Sequence, residues 1–287
     1  MSDSPHLGID LGGTQLRMAA VGGDGSLLTP MLATPTGRDF GPDDLRAGVA
    51  ELLARVKMQL GSASLAGVGL GTTGVVRPGP LSQCSNLPRL NGLDLAERLR
   101  AWTALPAAVE NDARCFTLAE ALYGAARGAR HVVGITLGTG VGCGVMIDGH
   151  LHQGAFHEAG EVWDIPVRET EIEEFLSGAG LVRAFRAAGG DAAQPSAADL
   201  AERARAGDPA ARAAWDAFGG DLAFLCHCIG RVIDPEAIVL GGSMAQARDL
   251  FDARLREKGK AVQARIRYST LGPAAGVIGA ASLTRLP

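Results

Sequence analysis

The feature that most narrows what this chain can fold into is a strand, glycine turn and strand that occur twice. Leu7 to Leu11 reads as a strand, Gly12-Gly13 as a turn and Leu16 to Val21 as a second strand, followed by the turn Gly23-Asp24-Gly25. The same grammar returns with Val132 to Leu137, the turn Gly138-Thr139-Gly140, Gly142 to Ile147 and the turn Asp148-Gly149. Ile9-Asp10-Leu11-Gly12 superposes on Ile135-Thr136-Leu137-Gly138 at an offset of 126 residues. Repetition at a fixed spacing predicts two similar halves. A chain of 287 residues is long enough to give each half its own core. Gly supplies 40 of those residues, about twice the usual ~7%. Such usage signals tight turns or close backbone approaches.

Between and after the hairpins, helical and strand patterns alternate. Leu45, Val49, Leu52, Leu53, Val56 and Leu60 give Pro42 to Leu60 helical spacing, and Val68 to Leu70 reads as a buried strand. Asp94 to Trp102 and Asp112 to Ala126 are helix candidates with a short strand, Ala107 to Glu110, between them. Further on, Glu171 to Phe185 and Ala197 to Gly230 read as mainly helical, Ala237 to Leu240 as a strand, and Val277 to Leu286 as a terminal helix. The class is therefore α/β. No Pro-, Ser- or charge-rich linker separates the halves, which are expected to pack directly with a cleft between them.

Composition excludes several functions. Lys and Arg total 27 against 31 Asp and Glu, a net charge of -4, which offers no general attraction for nucleic acid or an anionic membrane. The five Cys contain no CxxC pair and predict neither a disulfide framework nor a four-Cys zinc site. The first nine residues lack the basic flank of a signal peptide, and the longest uncharged stretches are too short and Gly-rich to span a bilayer. A cytoplasmic protein is expected.

Gly69-x-Gly71-x-x-Gly74 matches the dinucleotide fingerprint, but Pro78 and Pro80 interrupt the helix that fingerprint must open. No GxxxxGK[ST] is present, and the only lysines are Lys57, Lys258 and Lys260, none near a glycine turn. A phosphate chain bound at such turns would have to be met by backbone N–H groups, hydroxyls, a divalent cation and Arg. Asp10-Leu-Gly12-Gly13-Thr14 and Leu137-Gly138-Thr139-Gly140 supply those parts twice, although either alone reads equally as a hairpin turn. Glu110-Asn111-Asp112 precedes a helix; an acid there serves as a cap, or as a base kept ionised by the helix N-terminus. Glu161 and Glu173 lie 12 residues apart, Glu173 opening a helix as a dipole partner would. Cys226-His227-Cys228 lies in an apolar helical stretch where adjacent side chains diverge, so packing is expected there and not metal.

Taken in order, Asp10-Leu-Gly-Gly-Thr14, Gly71-Thr-Thr-Gly74, Asn86-Leu-Pro88, Glu110-Asn-Asp-Ala113, Leu137-Gly-Thr-Gly140, Gly160-Glu161, Glu173 with Ser177-Gly178, and Ile238-Val-Leu-Gly-Gly242 resemble the ROK family of sugar kinases. The glucokinase-like members are the nearest in pattern, over residues 7 to 283. The resemblance implies an actin-like ATPase (ribonuclease H-like) fold with two domains of mixed β-sheets flanked by helices and an interdomain cleft. On that reading residues 1–113 with 273–287 form the smaller domain and 114–272 the larger. The resemblance places Asp10, Gly12, Gly13, Thr14, Gly138, Thr139 and Gly140 on the phosphates of ATP, with Gly241 and Gly242 flanking the adenosine. Asp10 would face Mg²⁺, through water where needed. Asn86, Asn111, Glu161 and Glu173 would contact the sugar, and Asp112 would be the catalytic base.

The chain departs from that pattern after Glu161. Members usually carry a hydrophobic residue, Gly and a zinc-binding His there, followed by three Cys; this chain has Val162-Trp163-Asp164 and no Cys between Arg168 and Glu171. No structural zinc is expected, and Asp164 is a substitute sugar acceptor. The implied activity is ATP-dependent phosphorylation of a hexose, glucose first, by a homodimer. Other sugars (fructose, mannose, an N-acetylhexosamine) or polyphosphate as donor are alternatives, as is a non-catalytic sugar sensor. The first phosphate loop starts at residue 8, so no helix-turn-helix is expected before it.

Overall fold

The structure, a computed structural model, describes residues 4–286. The chain divides into two compact units. The first comprises residues up to Gly128, the segment Leu151–Ala159 and the stretch from Leu271 onward. It opens with strands β1 (His6–Leu11), β2 (Gln15–Val21) and β3 (Leu32–Pro35), then helix α1 (Pro42–Leu60), strand β4 (Val68–Thr72) and helix α2 (Leu95–Thr103). Strand β5 (Ala107–Asn111) runs directly into helix α3 (Asp112–Leu122). The second unit carries β6 (Val132–Leu137), β7 (Val141–Ile147), β8 (His150–Leu151), the small pair β9 (Pro166–Val167) and β10 (Thr170–Glu171), and helices α4 (Glu173–Leu176) and α5 (Gly178–Ala187). Helices α6 (Ala197–Arg205) and α7 (Pro209–Val232), strand β11 (Ala237–Gly241), helix α8 (Arg248–Lys258) and strand β12 (Ile266–Tyr268) complete it. The chain then returns to the first unit as α9 (Ala275–Leu283).

The two sheets repeat one topology. Their strand orders are β3-β2-β1-β4-β5 and β12-β11-β6-β7-β8. In the first, β1 is antiparallel to β2 and parallel to β4, which is parallel to β5. In the second, β6 is antiparallel to β7 and parallel to β11, which is parallel to β12. The hairpins β1–β2 and β6–β7 are the repeated sequence pattern, and each buries alternate aliphatic side chains such as Ile9 and Ile135.

Local chemistry sets the helix breaks. The stretch 171–185, expected as one helix, is interrupted where the Ser177 hydroxyl accepts from Gly180 N at 3.1 Å and so starts a new helix. The stretch 197–230 is likewise two helices: Gly207 takes φ 102°, and Asp208 caps the next helix by accepting from Ala210 N at 2.9 Å, with Pro209 in its first turn. Strands β3 and β12 and helix α8 were not apparent in the sequence. The strands are short edges, and α8 buries only Phe251 and Leu255 on a highly charged surface. In the second core Trp215, Phe218 and Phe251 pack with ring centroids 5.3 to 5.9 Å apart.

Helix α9 is sunk into the first unit. Seven of its nine residues are buried, which requires neighbours without side chains. A Cβ on Gly8 would run into the Val277 carbonyl, one on Gly69 into that of Ala280, and one on Gly279 into that of Cys115. Gly69 and Gly71 are thus strand residues that admit a helix and Cys115, which accounts for two glycines of the dinucleotide-like fingerprint. Gly69→Ala and Gly279→Ala should each lower stability by ~1–3 kcal/mol in urea unfolding. Gly37→Ala, whose Cβ would meet nothing within 4 Å, should stay within ~0.5 kcal/mol of the parent.

Candidate active site

The parallel strands of the first sheet deliver chemistry to their carboxyl ends, where open α/β sheets bind ligands. Asp10, Gly71 and Glu110 are lateral neighbours in β1, β4 and β5, and Leu11, Thr72 and Asn111 form the next row. Beyond that row lie the turn 12–14, the loop 73–74 and the start of α3. The turn is braced from both sides: Gly12 N donates to Gln15 O at 3.0 Å, and the Thr36 hydroxyl donates to Gly12 O at 2.7 Å. Thr14 is exposed. A Cβ on Gly13 would lie 3.1 Å from Asn86 Cβ, which places exposed Asn86 against the glycine turn.

Asn111 and Asp112 sit at the bend from β5 into α3. The Asn111 side chain accepts from Ala113 N at 2.9 Å and Arg114 N at 3.3 Å, and donates to Gly74 O at 3.2 Å. It therefore caps α3 and ties in the neighbouring loop. Asp112 is the first helical residue, half-buried, its Oδ1 accepting from Ala113 N at 2.8 Å. Gly71 lies close by: its Cβ would be 3.6 Å from Asp112 Cα, an ordinary contact, and a tight 3.1 Å from Cys115 Sγ.

Asp10 faces Arg17, its cross-strand partner, at a long 3.4 Å. The first turn of α9 closes over it, with a Cβ on Gly276 reaching 3.0 Å from Asp10 Cγ. Burial pushes the carboxyl above its ordinary 3.8, and the guanidinium only partly offsets this. A carboxylate held at such a cost suits a hard divalent cation, which would favour its charged form.

In the second unit the turn Gly138–Gly140 is assembled in a similar way. Gly138 N donates to Gly140 O at 3.1 Å, and Gly178 N donates to Gly138 O at 2.9 Å. The Glu173 carboxylate accepts from Val141 N at 2.8 Å and fills the space a Cβ on Gly140 would need. Thr139 is exposed. Gly241 ends β11 beside Thr136, and Gly242, at φ 86°, has room for no Cβ against Leu137. Trp163 carries the adjoining segment: its indole donates to Glu161 Oε2 at 2.9 Å, and its carbonyl accepts from Glu173 N at 3.2 Å. Asp164 is exposed.

Each unit thus gathers its own share of the expected residues: Asp10, Gly12, Gly13, Thr14, Asn86, Asn111 and Asp112 in the first, and Gly138, Thr139, Gly140, Glu161, Glu173, Gly241 and Gly242 in the second. Sequence reasoning missed Arg114. It is 1% exposed and ion-paired to Glu110 at 3.0 Å, and its only signal was an Arg four residues after a strand-end Glu. Among the described residues no group of three or more His, Cys, Asp or Glu is placed to hold a metal, and no helix is long and apolar enough to cross a membrane.

Comparison with known proteins identifies the family and the fold. An N-acetylgalactosamine kinase, AgaK, of Shewanella sp. (strain ANA-3) is 30% identical over 302 residues, covering 97% of this chain and 96% of that protein. A glucokinase of Halalkalibacterium halodurans is 28% identical, covering 99% and 96%. The crystal structure of a ROK hexokinase from Thermus thermophilus matches with a TM-score of 0.83 at 27% identity over 96% of each chain. The fold is that of the actin-like ATPases, with two mixed sheets flanked by helices, as the resemblance implied. The ROK family model matches residues 6–286, and the chain belongs to the ROK family.

The raised Asp10 value has a definite sign. Its protonated form is favoured by folding, so that contribution is complete below 3.8 and is lost as pH rises through the raised folded value. Above that range the buried group opposes folding of the metal-free protein. Asp10→Asn should therefore melt no lower than the parent at pH 7, and its advantage should vanish below about pH 4. Thermal melts across pH 3.5 to 7 with chelator check this.

Proposed function

We propose that this chain is an ATP-dependent sugar kinase acting on the primary hydroxyl of a hexose, glucose first. The observation that carries the reading is the duplication itself: each sheet contains a β-hairpin whose glycine turn presents an exposed Thr. Such turns meet phosphate charge without Lys. In phosphoryl transfer the protein mainly positions reactants and stabilises charge, so these parts suffice.

In this reading Gly13, Thr14, Thr139 and Gly140 donate to the phosphates, Gly12 and Gly138, whose N–H groups close the turns, let the phosphates approach the backbone, and Gly241 and Gly242 do the same for the nucleoside. Asp10 would hold Mg²⁺, directly or through water, where the cation would supply neutralisation of phosphate charge. Asn86, Asn111, Glu161, Asp164 and Glu173 bind sugar hydroxyls, for which carboxylates and amides are suited. Asp112 orients the primary hydroxyl and accepts its proton as the oxygen bonds to the γ-phosphorus and ADP departs.

Trp163 supports an unsubstituted hexose. The indole bonded to the Glu161 carboxylate takes up volume beside a sugar contact, which disfavours an N-acetyl group.

Coupled ADP-release assays with ATP, Mg²⁺ and glucose, mannose, fructose, N-acetylglucosamine and N-acetylgalactosamine test the reading; turnover on none of them refutes it. Asp112→Ala should lower kcat by roughly 10²–10⁴-fold with sugar affinity largely retained. Trp163→Gly should raise the kcat/KM ratio of N-acetylhexosamine to glucose by roughly tenfold; an unchanged ratio removes Trp163 from specificity.

A further inference from the structure

One buried ion pair has no part in the chemistry above. Glu110 and Arg114 are 2% and 1% exposed, and burying such a pair costs about as much as its attraction returns. Stability is a poor reason to keep it, so what it holds in place is informative.

Its bonds converge on two pieces of chain. Glu110 Oε1 accepts from Arg114 Nη1 at 3.0 Å and from Asn111 N at 2.7 Å, which fixes the bend carrying Asn111 and Asp112. On the other side, Glu110 Oε2 accepts from Gln153 Nε2 at 2.5 Å. Arg114 Nη2 donates to the carbonyls of His157 at 2.7 Å and Ala159 at 3.1 Å. The segment Gln153–Ala159 is thereby bonded to the β5–α3 bend at three points, and the chain runs on from it to Gly160 and Glu161.

The held segment is under strain. His157 adopts φ 60°, a left-handed conformation costly for a residue with a side chain, and its Nδ1 is buried without a hydrogen-bond partner. A free loop would relax both features. The guanidinium grips the carbonyl of that same residue.

We propose that Glu110 and Arg114 form a positioning clamp. The pair locks the segment that leads into Glu161 onto the same bend that presents Asp112, so that sugar recognition depends on a pair that touches no substrate. The proposal rests on the kinase reading for its kinetic effect and on the geometry alone for its structural effect. Arg serves here because its planar fork reaches a carboxylate and two carbonyls at once, which a Lys ammonium does not.

The test uses Glu110→Gln/Arg114→Met, which removes both charges together, and Gln153→Met, which removes one strut and leaves the pair intact. With a sugar that the parent turns over, the double variant should raise KM for sugar roughly tenfold or more, with KM for ATP within about threefold; Gln153→Met should give a smaller rise of the same kind. Arg114→Lys should restore the sugar KM only in part. Amide exchange of residues 153–159 should quicken in the double variant while that of β1 and β4 is unchanged. A lowered melting temperature with an unchanged sugar KM would make the pair merely structural and overturn the proposal. Unchanged exchange across 153–159 would overturn it too. Should the parent phosphorylate no sugar, the kinase reading falls, and the exchange measurement still decides for or against the clamp.

Discussion

The close approach of α9 to the first sheet is the constraint on which much of this unit depends. A helix whose backbone touches the backbone of two central strands must meet glycines, and Gly8 and Gly69 are there, while Gly279 of the helix itself makes room for the Cys115 carbonyl of α3. Such contact gains dispersion and excludes water over a helix that is apolar on nearly every side. It also recruits the end of the chain into a unit built mainly from its beginning. The tie is reinforced where His6 Nδ1 meets the Thr284 hydroxyl at 2.7 Å and Arg285 donates to Val21 O at 2.7 Å. One result is functional: the first turn of α9 closes over Asp10, and the desolvation that follows is what raises its pKa.

The glycine turn of each unit is braced by fixed contacts of its own. In each turn one glycine N–H is already spent, Gly12 N on Gln15 O and Gly138 N on Gly140 O, and the carbonyls of the same two residues accept from the Thr36 hydroxyl and Gly178 N. Turns held this way need no reorganisation when charge arrives. The second turn is held differently, by a carboxylate under Val141 N, so Glu173 spends one oxygen on the loop. That dual duty, loop support beside a proposed sugar contact, is consistent with a residue whose position matters at both ends.

Much of this was legible in the sequence. The hairpins carried their own evidence, because β1 and β6, and β2 and β7, are equal in length at one offset, and their near-continuous burial follows from their aliphatic and glycine content. Helix α1 read correctly from its spacing. Errors came where local capping outranks periodicity: Ser177 and Asp208 stop helices that the apolar pattern would have continued. Short edge strands such as β3 and β12 left no trace, since their registry is set by partners distant in the sequence. At the site, Asp112 and Asn111 stood out by type and place, whereas Arg114 did not. An Arg in an otherwise apolar helix start reads as exposed, and only the fold shows the carboxylate and carbonyls that accept it.

That last case bears on how a buried charge should be read. Had the pair been isolated, the desolvation of both groups would argue for replacement by aliphatic residues of similar volume. Here every oxygen of Glu110 is engaged, and Arg114 leaves only Nε without a partner. Its remaining donors go to backbone carbonyls of a segment that has no regular structure of its own. Aliphatic packing is non-directional and could not fix a loop at three defined atoms. A charged fork can, and the positive φ at His157 marks the loop as taking a conformation it would not choose alone. The pair is thus better understood as geometric control over the approach to Glu161 than as a contribution to folding free energy.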